Sequence, residues 1–174
     1  MLTTMNDDAK TGRLSAAERR NELIEAAIHE FAINGLAGSS TEAISAKVGV
    51  SQPYIFKLFG TKKKLFLAAY ERVITRMEET LDAAAAAHPE DPEGAMMNAY
   101  RELLQRRDDQ LLQMQAYAAA ADDEVRAYVR KREACLYAEV LALTAGDADK
   151  ARDWIAYGLL WTVGAVLDLP EFMK

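Results

Sequence analysis

A chain of 174 residues, 51% of them apolar and with a formal net charge of −6, is long enough to bury a sizeable core and lacks the composition of a disordered or fibrous chain. Its single cysteine, Cys135, excludes an internal disulfide and fits a reducing compartment. The N-terminal residues have no apolar core of the kind a signal peptide carries, and the longest uncharged run, Trp154 to Leu167, is shorter than the roughly twenty residues of a membrane span. Secreted and membrane-spanning classes are therefore set aside, and a cytoplasmic location is expected.

Ala, Leu, Glu and Arg dominate, and no alternating β pattern persists, so the fold class is read as all-α. Residues 1–18 carry no periodic apolar positions and read as a disordered arm. A first helical pattern runs through Phe31 and is terminated at Gly35; His29, on this helix, reads as a packing or surface residue. A short helix follows from about Thr41 to Val48, with Thr41 as its cap, Ile44 and Val48 on one side, and Gly49 at its end, where positive φ is wanted. Ser51 is positioned to cap the next helix, and Pro53 falls in its first turn, where a missing N–H costs nothing. Ile55, Phe56 and Phe59 read as its apolar face. Thr61 caps a further helix that opens on Lys62, Lys63 and Lys64.

Two short helices joined by such a turn form a helix-turn-helix, whose second helix enters a DNA major groove. Gln52, Tyr54 and Lys57 fall opposite Ile55 and Phe59. Gln can bond the N6/N7 edge of adenine, Tyr a phosphate or a thymine methyl, and Lys a phosphate or the O6/N7 edge of guanine. A lysine at a helix N-terminus is poorly placed for the helix dipole, and a phosphate would account for it. Lys10 and Arg13 of the arm could also touch DNA. The charge supports this division: residues 1–64 hold nine Lys/Arg against seven Asp/Glu, while residues 65–174 hold twelve against twenty.

From Arg19 the chain reads RRNELIEAAIHEFAINGLAGSSTEAISAKVGVSQPYIFKLFGTKKKLFLAAY. This stretch resembles the N-terminal DNA-binding region of the TetR family of transcriptional regulators. The likeness rests on the helix ending in Phe31, Gly35, the Ser/Thr run at 39–41, the Gly49-Val50-Ser51 turn, Phe56 and Phe59, and Lys62 ahead of Leu65 and Phe66. It implies a dimer whose DNA binding is controlled by a ligand. Carried over residue by residue, it makes Gln52, Pro53, Tyr54, Phe56 and Lys57 the recognition surface, and Thr41 and Lys62 phosphate contacts. Two positions depart from the family pattern: Phe56 stands where Tyr is common, and Leu58 where His is frequent. Residues 19–65 are assigned to a three-helix DNA-binding domain and residues 66–174 to a helical ligand-binding and dimerisation domain.

In the second half, a helix from about Lys62 to Ala87 is broken by HPEDPEG, with His88 in an exposed loop. Helices are expected from about Glu93 to Arg106, Asp109 to Ala120, Asp122 to Thr144 and Asp147 to Leu169, with Asp122 and Asp147 as N-caps and Gly146 ending the helix before the last. The last helix is apolar on nearly all sides, which calls for a partner chain and a four-helix bundle built from the last two helices of each subunit. Glu124, Arg126, Arg130, Arg132 and Glu133 read as a solvated face, and Cys135 as a half-buried structural thiol. Met96, Tyr100, Met114 and Tyr117 on the middle helices are the candidate lining of an apolar effector pocket, with Trp161 able to reach it. The two histidines have no partners at metal-ligand spacing, and no Gly-rich phosphate loop is present. No catalytic constellation, metal site or cofactor is expected. The alternative to a ligand-responsive regulator is a helical dimer that keeps the fold without binding DNA.

Overall fold

The computed structural model describes residues 15–173. Among these residues there are eight α-helices: α1 (Ala16–Gly38), α2 (Thr41–Val48), α3 (Gln52–Phe59), α4 (Lys62–Ala87), α5 (Pro92–Leu103), α6 (Arg107–Ala118), α7 (Asp123–Leu143) and α8 (Ala148–Leu167). Short 3₁₀ turns follow α6 (Ala119–Ala121) and α8 (Pro170–Met173). No strand occurs among the described residues, and none of their helices is long and apolar enough to cross a membrane.

The first helix begins inside the segment expected to be a disordered arm. Ser15 and Glu18 form a reciprocal capping box, with Glu18 N–H on Ser15 Oγ at 3.1 Å and Ser15 N–H on Glu18 Oε2 at 2.7 Å. Ser15-x-x-Glu18 was legible as this motif, and the arm's boundary moves accordingly. The expectations for residues 1–14, including Lys10 and Arg13, lie outside the described residues. At Gly35 the backbone leaves helical geometry (φ 64°) and bends before the last turn.

The helix-turn-helix forms as expected, with two changes of cap. Ser40, not Thr41, caps α2 by accepting from Ala43 N–H at 3.2 Å. Ser51 precedes α3 without a side-chain cap bond, and Pro53 in the first turn already removes one of the donors that a cap would satisfy. Gly49 has φ 73°, the left-handed conformation that the turn between α2 and α3 requires. Thr61 caps α4 through Lys64 N–H. Leu23, Ile28, Phe31, Ile44, Ile55, Leu65 and Phe66 close the core of this unit, each at most 3% exposed. Phe31 and Phe66 meet edge to face with centroids 5.1 Å apart, a geometry favoured by the ring quadrupoles.

Helix α4 belongs to both halves of the molecule. Its first turns bury Leu65, Phe66 and Tyr70 near α1, and its later turns bury Val73, Ile74, Met77 and Leu81 against the following helices. The assigned division at residues 65/66 therefore falls within a continuous helix. Helices α1, α4 and α6 are also tied by charge: Arg76 reaches both Glu25 and the buried Asp109 at 2.7 Å, and Arg106 adds a contact to Asp109 at 2.8 Å. Arg107 spans from α6 to the C-terminal end of α8, donating to the carbonyls of Ala165 and Val166. The expected helices of this half are present, α4 with the expected ends and the others with ends shifted by one to three residues. Asp122 and Asp147 cap α7 and α8 as anticipated. Helix α8 stops at Leu167 rather than Leu169, because Asp168 turns left-handed (φ 56°) and Leu169 N–H returns to Gly164 O at 2.8 Å.

Candidate DNA-binding surface and ligand cavity

Helix α3 presents Pro53, Phe56 and Lys57 to solvent, while Ile55 and Phe59 face the core. Phe56, read from spacing as part of the apolar face, is 40% exposed. One hundred degrees per residue turns it away from Ile55, and the family likeness had placed it on the outer surface. Gln52 and Tyr54 are half-buried at the edges of that surface, and Tyr54 also packs against the core.

Three of the predicted contacts, Thr41, Gln52 and Lys62, are engaged within the protein. Thr41 is buried, and its hydroxyl accepts from the Gln52 side-chain amide at 2.8 Å. The same amide donates to Glu42 Oε1 at 2.5 Å. Hydrogen bonds from its own backbone N–H and from Ser40 hold the Glu42 carboxyl below its ordinary range, so it is charged at neutral pH and fixes the Gln52 amide. Lys62 Nζ donates to Ala37 O and Ser39 O, both at 3.1 Å, at the C-terminal end of α1. Lys63 pairs with Asp122 and Glu124 at the start of α7. Of the lysine cluster, Lys64 is the exposed member that makes no ion pair among the described residues. The sequence did not reveal that two of the three lysines serve the fold.

A cavity of about 210 Å³ lies between α4, α5, α6, α7 and α8. Its walls carry Met77, Tyr100, Gln113, Tyr117, Glu133, Leu136, Trp154, Ile155, Gly158, Leu159 and Thr162. Tyr100 and Tyr117 are where the sequence placed them. Met96 is buried in the core, Met114 is half-buried away from the cavity, and Trp161 is buried beneath the Arg101 guanidinium, 4.8 Å from the ring centroid. None of these three lines the cavity. Gly158 on α8 faces the Tyr100 ring, which a Cβ built there would meet at 3.6 Å. The Tyr100 hydroxyl shares a 2.5 Å hydrogen bond with the buried Thr162.

The face of α7 expected to be solvated is partly internal. Arg132 is turned toward Glu71 and Glu78, at 3.1 Å and 2.5 Å. Glu133 Oε1 accepts from the hydroxyls of Tyr70 at 2.9 Å and Tyr117 at 2.8 Å. Burial first, and then the negative Glu133, push both phenols well above the ordinary tyrosine range, so both remain donors. Charged side chains in a run suggest solvent, and only the approach of α4 and α6 makes this pair internal. Helix α6 carries Gln113 and Tyr117 to the cavity and meets α1 through Asp108, 2.8 Å from His29, and Gln115, 3.4 Å from Ala32 O. His29 and His88 are exposed, as expected, and Cys135 is half-buried.

On the unpartnered side of α8, Tyr157, Leu159, Leu160 and Leu167 are 55, 47, 40 and 59% exposed. Ala134, Ala138 and Ala142 form an exposed small-residue stripe on α7, which packs beside α8.

Comparison with known proteins matches this architecture. Residues 23–69, which hold Thr41, the outer face of α3 and Lys62, match the family model "Bacterial regulatory proteins, tetR family". Over 62 residues the chain is 39% identical to the HTH-type transcriptional repressor AcnR of Corynebacterium efficiens, a match that covers 36% of this chain and 33% of that repressor. The chain thus spans about a third of the length of this curated relative. Beyond the N-terminal region the likeness is one of fold. A TetR-like transcriptional regulator from Rhodococcus sp. RHA1 superposes with a TM-score of 0.68 at 23% identity, over 93% of this chain and 90% of that one. The multidrug binding protein EbrR, in complex with malachite green, superposes at 0.64 with 24% identity, over 90% and 99%. The N-terminal helix-turn-helix unit thus matches the TetR family of bacterial regulatory proteins, and the all-α body behind it shares its fold with TetR-like regulators of solved structure.

Proposed function

We propose that the protein is a cytoplasmic transcriptional repressor that binds a palindromic DNA operator as a homodimer and leaves it when a small apolar or amphipathic molecule fills the cavity. The observation that carries this reading is the connection made by α6, one helix that lines the cavity with Gln113 and Tyr117 and holds α1 of the DNA-binding unit with Asp108 and Gln115. The exposed apolar side of α8 and the alanine stripe of α7 supply a self-complementary surface for a second copy. In such a dimer the two α3 helices must enter successive major grooves, about 34 Å apart. A ligand that shifts α6 changes that separation through α1. By linkage, DNA then disfavours the ligand by the same factor, and a coupling of about 1–3 kcal/mol makes a useful switch. EbrR, of the same fold, is a multidrug binding protein that holds malachite green, which supports assigning the cavity to a small molecule.

The competing reading is a helical dimer of this fold that no longer binds DNA. Fluorescence anisotropy with duplexes selected from a random pool separates the two. Recovery of a two-fold symmetric site, with affinity falling steeply as salt rises, supports the repressor. Binding of a cavity ligand with equal affinity in the presence and absence of that site would remove the switch from this proposal.

A further inference from the structure

Glu133 is the sole carboxylate on the cavity wall, and no Lys, Arg or His accompanies it there. Its sequence neighbour Arg132 is committed to Glu71 and Glu78. Both phenols that reach Glu133 donate to the same oxygen, Oε1, and Oε2 makes no hydrogen bond among the described residues. A half-buried carboxylate with two neutral donors and no cation is only partly compensated. The rings of Tyr100, Tyr117 and Trp154 stand on the same walls, and a cation over such faces is attracted by their quadrupoles.

We infer that the cavity selects an organic cation, a protonated amine on a small aromatic body, whose ammonium lies against Glu133 Oε2. The inference rests on the reading of the cavity as the effector site and names the chemical class of that effector. A neutral ligand would leave the carboxylate without a counter-charge, and an anionic one would oppose it, so one residue provides both attraction and rejection. The volume, about 210 Å³, has room for one ring with a short chain.

The test uses three probes on one scaffold: 3-phenylpropylamine, 3-phenylpropan-1-ol and 3-phenylpropanoate. At neutral pH the first is a cation, like a lysine, and the last an anion. Titration calorimetry on the full chain should give the amine at least tenfold tighter binding than the alcohol, about 1.4 kcal/mol, and the acid the weakest. Glu133→Gln keeps an oxygen for the two phenols and removes the charge. It should weaken the amine at least tenfold and leave the alcohol within twofold. Alcohol or acid binding as tightly as the amine overturns the cation class while leaving the cavity as an effector site. A preference for the amine that survives in Glu133→Gln overturns the role of Glu133. Failure of all three probes to bind the wild-type chain overturns the cavity reading and this inference with it. If Glu133→Gln does not fold by circular dichroism, the wild-type ranking of the three probes decides.

Discussion

Lys62 distinguishes two physical roles that look alike in sequence. In the structure its ammonium does not point outward to a phosphate; it sits on two carbonyls at the end of α1, each 3.1 Å away. Those carbonyls carry the negative end of the α1 dipole and lack intrahelical partners. Hydrogen bonds to a charged donor contribute about 1.5–3 kcal/mol when well shielded. Lys62 is half-buried and water replaces part of the interaction, so Lys62→Ala should cost roughly 1–2 kcal/mol. At about 2–4 °C per kcal/mol for a chain of this size, the melting temperature should fall by about 2–8 °C. Lys62→Met keeps the aliphatic stem and should lose nearly as much, which isolates the charge. Calorimetric melting gives the stability. Anisotropy titration of a random-sequence duplex at several salt concentrations gives the number of phosphate contacts, since each lost contact lowers the salt slope by about one. A melting temperature unchanged in both variants, together with a salt slope reduced by one, would refute the structural role and restore a phosphate contact.

Three further outcomes follow from the same geometry. Leu160→Arg places a charge in the exposed apolar side of α8, so sedimentation at micromolar concentration should shift from dimer to monomer; an unchanged dimer places the interface elsewhere. Gln52→Ala removes the amide held by Thr41 and Glu42 and should alter base preference at one position per half-site by roughly 1–3 kcal/mol, whereas Lys57→Ala should change preference or weaken all sequences alike; no effect from either in operator titrations means α3 is not the reading helix. Asp122 caps α7 and pairs with Lys63, and hydrogen bonds from Lys63 and from the Val125 backbone hold its carboxyl below the ordinary range. A lowered folded-state pKa gives stability that is present above the unfolded value, near 4, and is lost as pH falls through the folded value. The melting temperature of wild type should thus exceed that of Asp122→Asn at neutral pH, with the gap narrowing below about pH 4; a constant gap would show that the ionised carboxylate is not the source.

The local elements were legible in the sequence because their causes are local. Gly49 at a turn that needs positive φ, Pro53 in a first turn, and Asp122 and Asp147 ahead of apolar periodicity each act within a few residues of themselves. Even the one misplaced cap was off by a single position, since Ser40 and Thr41 offer the same hydroxyl and only backbone dihedrals choose between them. The outer face of α3 was largely readable for the same reason, a fixed rotation per residue.

What the tertiary structure decided is which side chains meet across helices. Lys62 and Lys63 are identical residues in one run, yet one meets the end of α1 and the other meets Asp122 and Glu124, more than fifty residues away in sequence. Met96 and Met114 carry the composition of a pocket and do not line one, because a flexible apolar chain fills whatever gap the crossing helices leave. Glu133, in a charged run that reads as solvated, becomes the one carboxylate of a cavity because Tyr70 and Tyr117, 63 and 16 residues away, converge on it. Periodicity reports which face of a helix is apolar. It carries no information about which other helix that face will meet, and the cavity is a property of those meetings.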